Sequence, residues 1–400
     1  MDEVITQNLI VVAVTMAIAA GIPAALPRLP LPGVVLEIVL GVIIGPQFLG
    51  LVHPHATLDF LANFGLGMLF MMAGLEMDPA VLKGRPLRNA LLGWALTAAI
   101  AFSAAMLLSK MGFAGAWLLT GLALSTTTIG ALLPVLRDSG LLSPPYGPLV
   151  LAAGAIGEAF PVIALSLVLA HARAPREALI ILAFATGAAG AIMLAARASG
   201  GKLARIVERT MATSGQFPMR LAVCALILMV ALSERLQIDM VLGAFVAGAI
   251  VRAALDRRHD EAVRARMDGL GSAFLVPIFF ITSGVRLDVA ALFSNPTSLI
   301  MVPIYALLML AARGLPALLL YRADLSARQR IGLALHSGAQ LSLVVAITGI
   351  AVHRGLMPGV QAAQLVGGGI LTLILYPALA EHFLRQEPAA ADLCTGVDGA

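Results

Sequence analysis

The 400-residue sequence predicts an all-α polytopic membrane protein of about thirteen transmembrane helices. Three observations carry that prediction. Hydrophobic residues make up 60% of the chain and charged residues 12%, with a mean hydropathy of +0.96, whereas an average soluble domain is roughly 25% charged. Apolar runs of about 20 residues recur from end to end, each long enough to span a hydrocarbon core of roughly 30 Å. The basic residues, finally, gather in alternate interhelical segments.

Taking Pro, Gly and charge clusters as breaks, the spans fall near 5–25, 33–50, 59–76, 89–108, 115–136, 147–170, 178–196, 221–234, 239–254, 270–285, 297–320, 331–352 and 362–383. The first run follows the acidic start MDEVITQNL, which lacks the basic region and cleavage site of a signal peptide, so it stays as a helix. Of the 26 Lys and Arg, 19 go with odd-numbered spans, from Arg28 through Lys83, Arg137, Lys202, Arg257 and Arg328 to Arg385, and six with even-numbered ones. Such a bias places the N-terminus outside and the C-terminus in the cytoplasm. The tail, 386–400, reads as disordered and cytoplasmic. Residues 1–385 read as one transmembrane domain, without a nucleotide-binding module. The net charge of +4 lies in interhelical loops without an aromatic-rich patch, which excludes nucleic acid as a partner in favour of the bilayer. Cys224 and Cys394 have no metal or redox spacing.

Two spans carry polar residues at mid-membrane depth. In LALSTTTIGALLP, Ser125, Thr126, Thr127 and Thr128 precede Gly130 and Pro134; in LALHSGAQLSLVV stand His336, Ser337, Gly338, Gln340 and Ser342. Free backbone groups persist in a membrane only where they are buried in protein or line a wet cavity. Interrupted helices in corresponding positions of two halves point to a transport site between inverted repeats. Each interrupted span is the middle of a triplet, and the two triplets run in opposite directions. The plainer reading is that Ser and Thr bond back to their own helix and soften it.

A charge near the bilayer centre costs about 3 kcal/mol on insertion scales, so it normally faces a cavity or a partner. Glu158, in LVLAAGAIGEAFPVIALSLVLA, and Arg313, in LLMLAARGLPALLLY, lie well inside spans; Glu37 is the closest third. Glu76, Asp78, Asp239, Arg286 and Asp288 fall near span ends, where solvation suffices. A buried carboxylate can hold a proton and release it when a cation offers compensating charge. Carboxylate, hydroxyl and carbonyl oxygens suit alkali cations. Arg313 keeps its proton and acts as a fixed counter-charge competing with the cation. Glu37 reads as a packing or gate residue and His336 as a hydrogen-bonded core histidine.

In order and spacing, LPGVVLEIVLGVIIGPQFLG, MLFMMAGLEMD, LALSTTTIGALLPVL, AAGAIGEAFPVIAL, VLGAFVAGAIV, FLVPIFFITSGVRLD and HSGAQLSLVVA resemble the second monovalent cation/proton antiporter family, relatives of sodium/proton exchangers and potassium efflux antiporters. The resemblance covers roughly residues 5–384. It implies a sodium/proton-antiporter-like fold with a mobile core of about 89–170 and 297–384, a scaffold or dimer domain from the remaining helices, and two crossing broken helices beside the essential acid. It implies transport of Na+ or K+ against H+ without a cofactor, an elevator mechanism, a homodimer, and a bacterial inner membrane. Glu158 falls on the family's acid, Arg313 where relatives often carry Lys, and Thr127 and Thr128 on the first unwound stretch. The expected cation ligands are Glu158, Ser125, Thr126, Thr127, Thr128, Ser337 and Gln340. Several departures stand out: the acid is Glu158 where the family usually has Asp, the residue before it is Gly157 rather than Asp, Asn or Gln, Arg313 in place of Lys removes a proton-carrying role there, and Gln340 stands where many relatives have Glu. A single carboxylate implies one proton exchanged per cation and electroneutral transport.

Two other classes fit less well. A membrane-embedded enzyme would need a nucleophile with a base, or a HExxH or Gly-x-Gly-Asp motif, and a channel would need a selectivity filter; the sequence offers neither.

Overall fold

Apolar helices gain little in a bilayer by hiding apolar surface from lipid, so close backbone approach at small residues decides how they assemble. The structure is a computed structural model that describes residues 3–25, 31–77, 84–169, 175–198, 210, 216–255 and 260–385. All regular structure among these residues is helical. The helices are α1 (Glu3–Ala25), α2 (Gly33–Ile44), α3 (Ala56–Leu75), α4 (Gly84–Lys110), α5 (Trp117–Leu124), α6 (Ile129–Asp138), α7 (Tyr146–Leu169), α8 (Pro175–Ala198) and α9 (Phe217–Arg235). They continue as α10 (Met240–Ala254), α11 (Asp260–Leu270), α12 (Val276–Arg286), α13 (Val289–Phe293), α14 (Pro296–Leu320), α15 (Ala327–Gly338), α16 (Ser342–His353) and α17 (Gly359–Arg385). A π-helical turn, Gly271–Leu275, joins α11 to α12 without a break.

Each of the thirteen expected spans coincides with helix. Nine stretches of the described residues are long and apolar enough to cross a membrane, the α15–α16 pair counting as one, and α2 and α10 are shorter apolar helices. α2 stops at Ile44, six residues before the expected end at 50, because Gly45 and Pro46 follow and Pro disfavours helix at the residue before it. The fifth span is the pair α5 and α6, and the seventh is α8. The tail 386–400, together with Arg28, Lys83, Lys202 and Arg257 of the charge count, lies outside the described residues.

Two reciprocal glycine crossings fix one group of helices. A Cβ on Gly41 of α2 would strike the carbonyl of Ile281 in α12, and one on Gly284 of α12 would strike the carbonyl of Ile38 in α2. The same relation holds between Gly74 of α3 and Phe245 of α10, and between Gly248 of α10 and Met71 of α3. Backbones this close leave no room for a side chain. α1–α3 and α8–α12 pack chiefly among themselves, and so do α4–α7 and α14–α17. Both interrupted helices, α5–α6 and α15–α16, belong to the second group.

Candidate functional site

The break in the first interrupted span begins with local bonds that tighten and then release the helix. Ser125 N–H reaches back to Leu122 O (3.1 Å) and Thr126 N–H to Ala123 O (3.4 Å), three residues rather than four. The Ser125 and Thr126 hydroxyls donate to the same two carbonyls, at 2.8 and 3.0 Å. These two residues do what the plainer reading expected. Thr127 and Thr128 do not: their backbone N–H groups leave the helix for Gly157 O (3.1 Å) in α7 and Ala339 O (3.2 Å) in the other break.

The two breaks are thus stitched to each other. Thr127 Oγ1 donates to Ser337 O (3.1 Å), Leu341 N–H donates to Thr128 Oγ1 (3.0 Å), and Gln340 Nε2 donates to Leu124 O (3.2 Å), with Thr126 Oγ1 3.3 Å from Gln340 Oε1. All of these side chains are buried. At the crossing α5 and α15 end, presenting carbonyls, while α6 and α16 begin, presenting N–H groups, so the partial charges of four half-helices meet and offset. Carbonyl and hydroxyl oxygens at such a point are hard ligands.

Glu158 stands one residue from this crossing, since Gly157 O is the acceptor for Thr127 N–H. It lies in the middle of α7 and is 5% exposed. Arg313 is equally buried, donates from Nη2 to Ala153 O (3.0 Å), and interacts electrostatically with Glu158. A Cβ on Gly157 would lie 2.7 Å from Thr127 Oγ1, 3.0 Å from Arg313 Cζ and closer still to its Nη2. Of the expected site residues, then, Ser125, Thr126, Thr127, Thr128, Ser337 and Gln340 form the crossing, and Glu158 and Arg313 flank it on α7 and α14.

Other residues fall differently. His336 is fully buried with Nδ1 2.7 Å from Tyr146 Oη, the hydrogen-bonded histidine that was expected. Glu37 is half-buried on α2, in the other helix group. Two acids placed at solvated span ends are corrected: Asp239 is buried, capping Val241 N–H (3.1 Å) and pairing with Arg354 at 2.8 Å, and Glu76 is half-buried with Oε1 3.2 Å from the position of a Gly130 Cβ. Both would lose hydration without gaining a partner if they stood alone, and both have charged neighbours, Arg354 for Asp239 and Arg264 with Asp268 for Glu76.

α17 carries a site residue that the sequence pattern did not single out. Thr372 Oγ1 accepts from Gln340 N–H (3.0 Å), while its own proton has Gly369 O (2.8 Å) as nearer acceptor and Gln340 O (3.1 Å) as the farther one, so α17 holds the second break. Gly369 lets that backbone approach, since a Cβ there would lie 2.7 Å from Gln340 O. The run Gly367–Gly369 inside an apolar helix was the available signal, because glycine within an element marks close backbone approach.

A cavity of about 720 Å³ lies between the two helix groups, lined by Ile38, Ala62, Phe279 and Thr282 of one and Val345, Thr348, Ala362 and Val366 of the other. Asp59, Asp239, Arg286 and Arg354 stand at its polar end. Arg286 pairs with Asp59 within one group, whereas Arg354 and Asp239 join the two. Neither Glu158 nor Arg313 lines the cavity.

A helical bundle with two broken helices crossing beside a buried acid and a buried guanidinium defines a membrane-embedded ion transporter rather than an enzyme. A family model described as "Sodium/hydrogen exchanger, transmembrane" matches residues 11–385, and the chain belongs to that family. Among its relatives, the putative Na+/H+ antiporter YjbQ of Bacillus subtilis is 30% identical over 310 residues, 73% of this chain and 49% of that protein. The match therefore spans about half of that relative's length. The probable Na+/H+ antiporter 3 of Methanocaldococcus jannaschii is 25% identical over 367 residues, 90% of this chain and 92% of the other. The fold is similar to the solved structure of the sodium proton antiporter MjNhaP1 from the same archaeon at pH 8, with a TM-score of 0.72 and 16% identity over 96% of this chain and 99% of that one.

Proposed function

We propose that this protein exchanges protons for a monovalent cation, Na+ or K+, with Glu158 carrying each in turn. The observation that carries the reading is the placement of a buried carboxylate one residue from a crossing built of carbonyl and hydroxyl oxygens. A bare Glu158 in that setting is costly, and either a proton or a cation relieves the cost. Ser125, Thr126, Thr127, Thr128, Ser337 and Gln340 supply further oxygens for a dehydrated alkali cation. The relatives' names as Na+/H+ antiporters favour Na+.

Arg313 cannot release its proton in this setting. Its charge lowers the affinity of the site for a cation and keeps the carboxylate from binding too tightly to turn over. One carboxylate that takes one proton or one monovalent cation gives electroneutral, one-for-one exchange.

Movement follows an elevator scheme in which α4–α7 and α14–α17 slide as a core against a scaffold of α1–α3 and α8–α12. The cavity between the groups and the concentration of both breaks in one of them support that division. The bias of the basic segments supports an N-terminus outside and a C-terminus in the cytoplasm, and the proposed setting is a bacterial inner membrane in which the protein acts as a homodimer. In liposomes carrying a pH gradient, addition of Na+, K+ or Li+ tests the exchange. The preferred cation collapses the gradient at a rate independent of an imposed membrane potential; a clear voltage dependence rejects one-for-one exchange.

A further inference from the structure

We infer that Gly157 is a positioning residue whose missing side chain is what seats the Arg313 guanidinium against α7, so that positions 157 and 313 act as one unit in setting the charge at the exchange site. The inference rests on the reading of Glu158 as the carrier acid. Three observations support it.

First, the guanidinium occupies the space over Gly157: the Cβ position there falls well inside van der Waals contact of Nη2 and 3.0 Å from Cζ. Second, the guanidinium is held there by Nη2 donating to Ala153 O (3.0 Å), the carbonyl one helical turn before Gly157. It sits over the 153–157 turn, a seat from which any side chain at 157 would displace it. Third, the backbone at 157 is tethered, because Gly157 O accepts from Thr127 N–H (3.1 Å) and ties this turn to the crossing. Moving α7 away from Arg313 would break the crossing; leaving it in place would expel Arg313.

The chemistry follows from what occupies the space. A polar or acidic residue at 157 would put a second titratable or hydrogen-bonding group beside Glu158 and displace the Arg313 guanidinium from this turn. Glycine there puts a permanent positive charge in the same volume. The pair Gly157–Arg313 thus fixes a site with one exchangeable charge, and Arg at 313 is coupled to Gly at 157 by volume as well as by charge. Thr127 Oγ1, 2.7 Å from the same Cβ position, is the competing cause of any intolerance at 157.

The test compares Gly157→Ala, Arg313→Met, the double variant Gly157→Ala/Arg313→Met, and Gly157→Ala/Thr127→Ala in liposomes, reading cation-driven proton exchange against pH. Every variant keeps Glu158, so the coupling is read independently of whether that acid is the carrier; a Glu158→Gln protein in parallel decides the latter. The expected result is that Gly157→Ala shifts the pH profile in the same direction as Arg313→Met, and that adding Gly157→Ala to Arg313→Met changes the rate by less than about twofold. If Gly157→Ala alone does not yield folded protein, recovery of folded protein in the double variant with Arg313→Met gives the same support. A native pH profile in Gly157→Ala, an effect that adds in full to that of Arg313→Met, or relief by Thr127→Ala alone overturns the inference. Failure of the double variant with Arg313→Met to fold where Gly157→Ala also fails overturns it as well.

Discussion

Replacing Gln340 with Leu removes the bond that holds the end of the first broken helix. Gln340 is fully buried, and its Nε2 covers Leu124 O at 3.2 Å, the last carbonyl of α5. Leu fills most of the volume but leaves that carbonyl without its donor in a place water does not reach. An orphaned buried acceptor costs about 1–3 kcal/mol, or roughly 5- to 150-fold in an equilibrium constant. The bond from Gln340 N–H to the Thr372 hydroxyl remains, which keeps the loss from being larger. Thr126→Val is the control. It removes the longer contact to Gln340 Oε1 at 3.3 Å, while Ala123 O, the hydroxyl's nearer acceptor, keeps the Thr126 N–H; the cost is under about 1 kcal/mol. Thermal unfolding of the purified protein in detergent measures both, and the cation concentration for half-maximal exchange measures the site. Gln340→Leu lowers stability and cation affinity more than Thr126→Val does. Equal effects, or a larger one from Thr126→Val, would refute the assignment of the α5 end to Gln340.

Further predictions follow from the helix crossings and the seam. Gly41→Leu sets a side chain against the Ile281 carbonyl, costs several times the ~1–3 kcal/mol of ordinary overpacking, and abolishes folded protein in the membrane; Gly67→Ala, whose Cβ meets its nearest neighbour at 3.6 Å, is tolerated, and size-exclusion profiles of the two separate the outcomes. Arg354→Ala breaks the bond between the two helix groups and leaves Asp239 buried alone. With Arg354 41% exposed, the cost is discounted to about 1–2 kcal/mol, enough to depopulate this arrangement roughly five- to thirtyfold. Maleimide labelling of Gly349→Cys, a cavity-lining position in open space, slows accordingly in Arg354→Ala protein; unchanged labelling would show that the pair does not hold the groups in place.

How much of this was legible in the sequence depends on what kind of force places each residue. Span positions were legible because hydropathy and length decide them, and α2 ends before its apolar run does because Gly45–Pro46 stops the helix. The polar runs at 125–128 and 336–342 were legible because nothing in a membrane keeps such residues without a use. Their direct bonding to each other was expected only through resemblance, since residues over two hundred positions apart meet by tertiary packing. The division within the Ser-Thr run, two backbone N–H groups bonding back and two across, depends on single backbone torsions that composition does not encode. Asp239 was misread because its distance from the helix centre says nothing of Arg354, which reaches it across 115 positions of sequence. Gly157 was read as the absence of a polar partner, and the structure turns it into room for one.

The central claim is that one carboxylate carries both proton and cation, and it is tested most directly by cation-driven proton exchange in liposomes containing Glu158→Gln protein. Gln cannot ionise, so it can neither release a proton nor neutralise a bound cation at the site. The account predicts no exchange above that of protein-free liposomes, with folded protein retained because Gln fits the same buried volume. Exchange at a rate near that of the native protein would contradict it.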